Sequence, residues 1–266
     1  MIRDITLGQY YPGDSWIHKL DPRTKIIGTF VYLIALFLIK DFWGFLIAVA
    51  GISIVIAISR VPLSFILKGL KPVFIIILFT FFINMFMTKG EVLISWKFLE
   101  ITREGLYNAF FMGIRLVLLI IGSSILTLAT KPIKLTDGIE SLLGPLKKIG
   151  VPAHELAMMM TIALRFIPTL LEETDKIMKA QMARGADFES GNIFKRAKSL
   201  IPLLIPLFIS AFRIAQDLAM AMEARCYSGG ENRTRMTAMA YGKRDILATF
   251  GLITFVAVII LERILI

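Results

Sequence analysis

Long apolar runs constrain this sequence more than any other feature. They cover residues 26–39, 42–59, 72–87, 105–130 and 245–261. A membrane-spanning helix needs about 20 mainly apolar residues, and lysines beside the shortest run, Lys25 and Lys40, can extend it toward the membrane interface. With 56% hydrophobic residues and a mean hydropathy of +0.74, a soluble domain could not bury this much apolar surface. We therefore predict an all-α polytopic membrane protein with about five transmembrane helices.

The runs also predict the domain organisation. We expect an N-terminal segment at 1–22, transmembrane helices 1–4 at 23–130, a cytoplasmic region with three cytoplasmic or interfacial helices at 131–244, and transmembrane helix 5 at 245–266. In the third region a short amphipathic helix at 132–149 precedes two long helices at 152–185 and 193–226.

The second long helix leaves an alternative open. Its first half is apolar nearly all round, but a run of about 13 residues is too short to cross a bilayer. The alternative makes 200–222 a true span, which would carry Arg213, Gln216 and Asp217 in its middle. Charged residues at that depth are costly, so we favour a helix that lies along the membrane.

The distribution of basic residues predicts the orientation. Of the 30 Lys and Arg residues, 24 fall in 1–25, 60–71 and 131–244, and five fall on the opposite side. Cytoplasmic loops carry an excess of Lys and Arg, so the N-terminus and 131–244 should be cytoplasmic in a cell-membrane protein. The formal net charge of +10 then reflects this bias and contact with lipid headgroups. No basic patch interleaved with exposed aromatics points to nucleic acid.

The residues before the first apolar run form a recognisable helix start. Leu20-Asp21-Pro22-Arg23-Thr24-Lys25 combines a turn with a proline suited to a first helical turn. We expect its basic side chains to act as a membrane-surface anchor. No signal peptide is evident in 1–21, so the first apolar run should serve as an uncleaved membrane-entry segment.

The two long helices end on the same short motif. Ala183-Arg184-Gly185 and Ala224-Arg225-Cys226 are repeated at an offset of 41 residues. A single arginine at a helix C-terminus is explained by the helix dipole, at roughly 0.3–1 kcal/mol, and glycine is a natural C-cap residue. Repetition instead favours binding, because the planar guanidinium can grip a carboxylate of a partner protein with two hydrogen bonds.

Other chemistry finds little support in the sequence. Cys226 is the single cysteine, and His18 and His154 are the only histidines, so we expect no disulfide, no metal site and no cofactor. There is no G-x-x-x-x-G-K-[ST] loop for ATP phosphates, and no Ser/His/Asp arrangement. We expect a protein without catalytic residues, and any energy source must be another chain.

Three short motifs in the sequence resemble those of a known protein family. Leu20–Lys25, Met182–Gly185 and Glu223–Tyr227 resemble motifs of the T component, the transmembrane coupling subunit of energy-coupling factor (ECF) transporters, which are ABC-type importers of vitamins and metal ions. The resemblance covers essentially the whole chain. It implies that the two tips dock into two ABC ATPase subunits, which bind the ATP, and that the helices leading to them hold a substrate-binding S component. The transported substrate is not implied by this chain.

Two alternatives belong to other classes. A self-sufficient secondary transporter would use intramembrane charges at Arg115, Arg213 and Asp217, although the paired half-length spans typical of such proteins are not evident. We expect a structural role for Arg115, facing protein within its span. A polytopic membrane enzyme would need a convergent catalytic set, which the sequence does not offer.

Overall fold

The protein folds into two compact units. The computed structural model describes residues 10–96, 99–188, 192, 194, 198–229 and 239–265. Of these described residues, those within 10–142 and 239–265 form the membrane unit, and those within 143–229 form the two-helix unit. These units are defined by packing, whereas the domain boundaries expected at 131 and 244 refer to the membrane and stay a prediction.

Helices make up most of the membrane unit. In chain order they are α1 (Pro22–Leu38), α2 (Phe42–Ser59), α3 (Leu63–Leu70), α4 (Phe74–Met87), α5 (Arg103–Ala129), α6 (Pro132–Leu143) and the last helix, α9 (Lys243–Leu265). A 3-10 turn at Lys71–Val73 joins α3 to α4. The helices follow the apolar runs, which confirms the predicted all-α polytopic fold.

The ends of these helices have identifiable causes. Asp21 caps α1 by accepting a hydrogen bond from the backbone N–H of Arg23, and Pro22 fills the first turn. Arg60 ends α2 in the left-handed conformation, with φ of 54°. Thr102 caps α5 by accepting the N–H of Gly105 at 3.0 Å.

The core of the membrane unit lies between α1, α2, α5 and α9. Its fully buried side chains include Leu36, Ile39, Ala48 and Ile259. α1 and α5 approach closely because Gly122 faces Tyr32, where a Cβ would overlap the aromatic ring. The Tyr32 hydroxyl donates a hydrogen bond to the Leu118 carbonyl at 3.3 Å, which satisfies this buried polar group.

One hairpin adds strands that the sequence did not predict. β1 (Val92–Trp96) pairs antiparallel with β2 (Leu99–Thr102), with Trp96 opposite Leu99. At its end the Thr102 hydroxyl donates to the Thr88 carbonyl at 2.7 Å, which ties the hairpin to the end of α4. The apolar alternation is too short to distinguish such a strand from an interfacial loop.

The two-helix unit is built from α7 (Ala153–Ala183) and α8 (Ile201–Glu223), preceded by a 3-10 helix at Gly144–Ile149. α7 starts and ends within two residues of the prediction. The second helix was expected from 193, but 193 and 195–197 lie outside the described residues, and α8 starts at Ile201. Pro202 therefore lies in the first turn of α8, where no backbone donor is needed.

Six helical segments among the described residues have the length and composition to cross a membrane, one of them the continuous stretch Leu63–Met87 formed by α3, the 3-10 turn and α4. They include α7 and α8, which were predicted to lie along the membrane, whereas α1, with 17 residues, is at the lower limit of length for a span. Length and hydropathy alone therefore separate crossing from surface helices less sharply than we expected. The placement of α7 and α8 has to be argued from their charged side chains.

Candidate docking site at the ends of two long helices

α7 and α8 pack against each other in antiparallel orientation. Near the C-terminal end of α7, the Gln181 side chain donates a hydrogen bond to the carbonyl of Pro202, in the first turn of α8, at 3.4 Å. At the other end, Ile162 of α7 lines a common groove with Leu218 of α8. The C-termini of the two helices therefore lie at opposite ends of the pair.

This arrangement separates the two arginines. Arg184 follows the end of α7, whereas Arg225 lines the groove beside Met158 and Ile162 in the N-terminal half of α7. An α-helix rises about 1.5 Å per residue, so about 22 residues between Ile162 and Arg184 put the arginines on the order of 35 Å apart. A single small binding site cannot contain both side chains.

The first tip closes with a Schellman motif. The Gly185 N–H donates to the Met182 carbonyl at 2.9 Å, and the Ala186 N–H donates to the Gln181 carbonyl at 3.0 Å. Gly185 adopts the left-handed conformation with φ of 86°, as this motif requires. A Cβ added at Gly185 would meet nothing within 4 Å, so the glycine is needed for its backbone angle and not for space within the chain.

The second tip closes in the same way without a glycine. The Cys226 N–H donates to the Glu223 carbonyl at 2.8 Å, and the Tyr227 N–H donates to the Met222 carbonyl at 3.1 Å. Cys226 has φ of 54°, in the left-handed region that side chains disfavour by about 1–2 kcal/mol. The departure from glycine in the second motif therefore leaves the shape of the tip unchanged.

The predicted docking residues lie at the surface. Each tip is exposed along its whole motif, and the residues are Ala183, Arg184, Gly185, Ala224, Arg225 and Cys226. The left-handed turn reverses the chain directly after each arginine, so the guanidinium stands at the extreme end of its helix. This geometry suits insertion of an arginine into a groove of a partner protein.

A groove beside the second tip was not expected from the sequence. Its volume is about 490 Å³. It is lined by Met158, Ile162, Leu218, Met222, Arg225, Cys226, Tyr227, Ser228 and Gly229. The signal for it is the four-residue spacing of the apolar side chains on each helix, but only the antiparallel packing brings the two pairs together.

The three charged residues that a secondary transporter would use are divided between the two units. In the membrane unit, Arg115 donates to the Ile39 carbonyl at 2.8 Å, and its guanidinium lies 4.8 Å from the ring centre of Phe111 and 5.6 Å from that of Phe37. These contacts tie the end of α1 to α5, as a structural residue would. Arg213 and Asp217 belong to the two-helix unit and are both exposed.

Comparison with known proteins decides the family. The family described as "CbiQ: Cobalt transport protein" matches residues 13–236. The chain is 59% identical over 266 residues to the energy-coupling factor transporter transmembrane protein EcfT of Clostridium kluyveri, covering 99% of this chain and 98% of the relative. The chain belongs to this family. It is also 60% identical to the EcfT protein of Ruminiclostridium cellulolyticum over 98% of both chains, and 47% identical to that of Bacillus subtilis over 99% and 100%.

Membership of this family confirms the resemblance drawn from the motifs. The chain is the T component, the transmembrane component of an energy-coupling factor transporter, and a multi-pass membrane protein. Among the described residues, no group of three His, Cys, Asp or Glu side chains could hold a metal ion.

Proposed function

We propose that this chain couples ATP binding and hydrolysis on two ABC ATPase subunits to substrate release from an S component. Arg184 and Arg225 each dock one ATPase, and the surfaces of α7 and α8 hold the S component. The chain itself binds no ATP and catalyses no reaction. It assigns no substrate, because recognition of a vitamin or metal ion belongs to the S component.

The observation that carries this proposal is the pair of matching tips at opposite ends of one helix pair. Two exposed arginines on identical left-handed turns, on the order of 35 Å apart, suit two copies of a similar site on two separate subunits. Two tips at the same end of the helix pair would instead have suited a single partner subunit. When the two ATPase subunits move together or apart, that movement would then displace α7 and α8 as a pair.

We infer that α7 and α8 lie along the cytoplasmic membrane surface. Arg213, Gln216 and Asp217 are exposed in the middle of α8. A span would bring them to lipid, where a charged residue at the centre of a helix costs roughly 2.5–3.5 kcal/mol. Glu172 and Lys176 are exposed in the second half of α7 and support the same placement. Both tips then face the cytoplasm, as the bias of basic residues also requires.

Charge reversal at the tips tests the proposal. Arg184→Glu, Arg225→Glu and the double variant are expressed with the native partners, and ATPase subunits that copurify with the chain are quantified. We expect each single variant to lose about half of the bound ATPase and the double variant to lose nearly all, because a carboxylate repels the acidic partner group. Lys179→Glu, an exposed charge reversal one turn before the first tip, is the matched control. An intact complex in the double variant would refute the docking role.

A further inference from the structure

A cluster of charged side chains forms around Arg23 at the start of α1. The Arg23 Nε and Nη2 atoms donate to the two carboxylate oxygens of Asp21, each at 3.0 Å. Nη1 donates to the Ser141 hydroxyl on α6 at 3.4 Å, and the guanidinium lies 4.0 Å from the ring centre of Tyr241. Three chain segments therefore meet at one side chain.

A second carboxylate locks the same segments together. Asp245, at the start of α9, accepts the backbone N–H of Asp21 at 2.8 Å and that of Gly242 at 2.9 Å. Asp21 and Asp245 are only 7% and 4% exposed. Buried carboxylates are costly unless they are hydrogen-bonded, and both carboxylates accept hydrogen bonds here from backbone N–H groups.

Close packing fixes α6 at the same place. A Cβ at Gly138 on α6 would lie 2.9 Å from the side chain of Pro22 and 3.0 Å from that of Ile26, so only glycine allows this approach. Lys25 donates to the carbonyl of Ala129, the last residue of α5, at 2.9 Å. A cation there also complements the dipole of α5.

This arrangement corrects the expectation of a membrane-surface anchor. Arg23 is directed into the protein, with 16% of its side chain exposed. Burial raises the pKa of the Asp21 carboxyl, but hydrogen bonds and charge from Arg23 outweigh burial and hold the pKa below its usual range. The motif is a joint between helices.

The cluster around Arg23 lies next to the points where the chain leaves and re-enters the membrane unit. The chain leaves the membrane unit after Leu142, and the described residues from 239 onward belong to it again. Ser141 lies directly before the first passage and Tyr241 shortly after the second. Arg23 contacts both, so one guanidinium joins the residue next to the chain's exit from the membrane unit to a residue close to its return.

We propose that Arg23 is a positioning residue through which movement of α7 and α8 is passed into the membrane unit. The two passages are held as one connection, so that displacement of the helix pair pulls on α1, α6 and α9 together. Without the hydrogen bonds of the guanidinium, the chain before α7 and the chain after α8 move independently, and the membrane unit does not follow the helix pair. This inference rests on the proposed coupling function.

Hydrogen–deuterium exchange of the complete complex tests this role without a known substrate. Exchange is compared with and without ATP plus orthovanadate, in the wild type, Arg23→Lys and Tyr241→Leu. Lysine keeps the charge but cannot grip Asp21 with two hydrogen bonds and reach Ser141 as well. Tyr241→Leu removes only the stacking partner. Arg60→Lys, an exposed arginine at the end of α2, is the matched control.

We expect ATP-dependent changes in both units for the wild type and the control. In the two cluster variants the changes should persist in α7 and α8 and be lost from 8–142 and 239–265. The inference would be overturned if ATP-dependent exchange changes still reached the membrane unit in both variants. It would also be overturned if the wild-type membrane unit showed no such change, or if both variants failed to assemble. Failure of the proposed function is seen separately, as absence of ATPase subunits from the wild-type complex.

Discussion

Cys226 occupies the same backbone position at the end of α8 that Gly185 occupies at the end of α7. Both residues have positive φ, 54° and 86°, and both donate to the carbonyl three residues before them. A residue with a side chain pays about 1–2 kcal/mol for this conformation. The turn persists in α8 despite that cost, which indicates that the shape of the tip matters more than the identity of the residue.

Replacing the cysteine by glycine should therefore not destabilise the second tip. Cys226→Gly removes the steric strain, and we expect an apparent melting temperature of the purified chain equal to or above that of the wild type. Ala221→Gly, at an exposed position within α8, is the control and should lower it, since glycine in a helix costs about 1 kcal/mol. A lower melting temperature for Cys226→Gly would contradict the role of the left-handed turn.

The first tip should respond in the opposite sense. Gly185→Ala meets no neighbouring atom but must adopt a positive φ, so we expect a loss of about 1 kcal/mol in the stability of the turn and weaker ATPase binding. Cys226→Ala exchanges one strained side chain for another and should bind as the wild type does. Copurification of ATPase subunits at rising salt compares the two. Equal binding by both variants would show that docking does not need the turn.

The antiparallel packing predicts a distance between the tips. Spin labels are placed on Cys226 and on an Ala183→Cys variant, and electron–electron dipolar spectroscopy measures their separation. We expect a distribution centred on the order of 35 Å, set by the rise of α7. A separation below about 20 Å would mean that both tips lie at one end, and that the two-subunit proposal is wrong.

Arg115 should prove structural. Arg115→Met removes the hydrogen bond to the Ile39 carbonyl and leaves that acceptor unpaired, so we expect a loss of roughly 1–3 kcal/mol in stability. The amount of ATPase bound per folded chain should not change. Arg103→Met, at an exposed residue in the first turn of the same helix, is the control. Loss of transport activity in Arg115→Met without a loss of stability would instead indicate a direct role of Arg115 in transport.

His18 should make the N-terminal segment sensitive to acid. Burial lowers the pKa of His18 below 6.5, while its hydrogen bond with the Tyr11 carbonyl at 3.1 Å acts in the opposite direction. Since the unfolded state binds the proton more readily, stability should be complete above pH 6.5 and fall as the pH drops toward the lowered pKa. Melting temperatures across this range should fall less in His18→Gln. An identical pH dependence in that variant would exclude His18 as the cause.

The family and the helical membrane architecture could be read from the residues. Apolar runs locate α2, α4, α5 and α9 because a bilayer requires about 20 apolar residues in each span, whatever packs against them. The tips at Arg184 and Arg225 could be found because repetition of a local motif is visible without a fold. The placement of 200–222 could not, since its composition permits both a span and a surface helix.

The remaining features depend on contacts between distant residues. Local sequence determined the helices, their caps and the two arginine motifs, because these depend on neighbours within a turn. Only the tertiary structure decided that the motifs lie at opposite ends of one pair, since antiparallel packing depends on how α7 and α8 meet. The tertiary structure also decided that Arg23 joins α6 to the chain before α9, through residues more than a hundred positions apart in sequence.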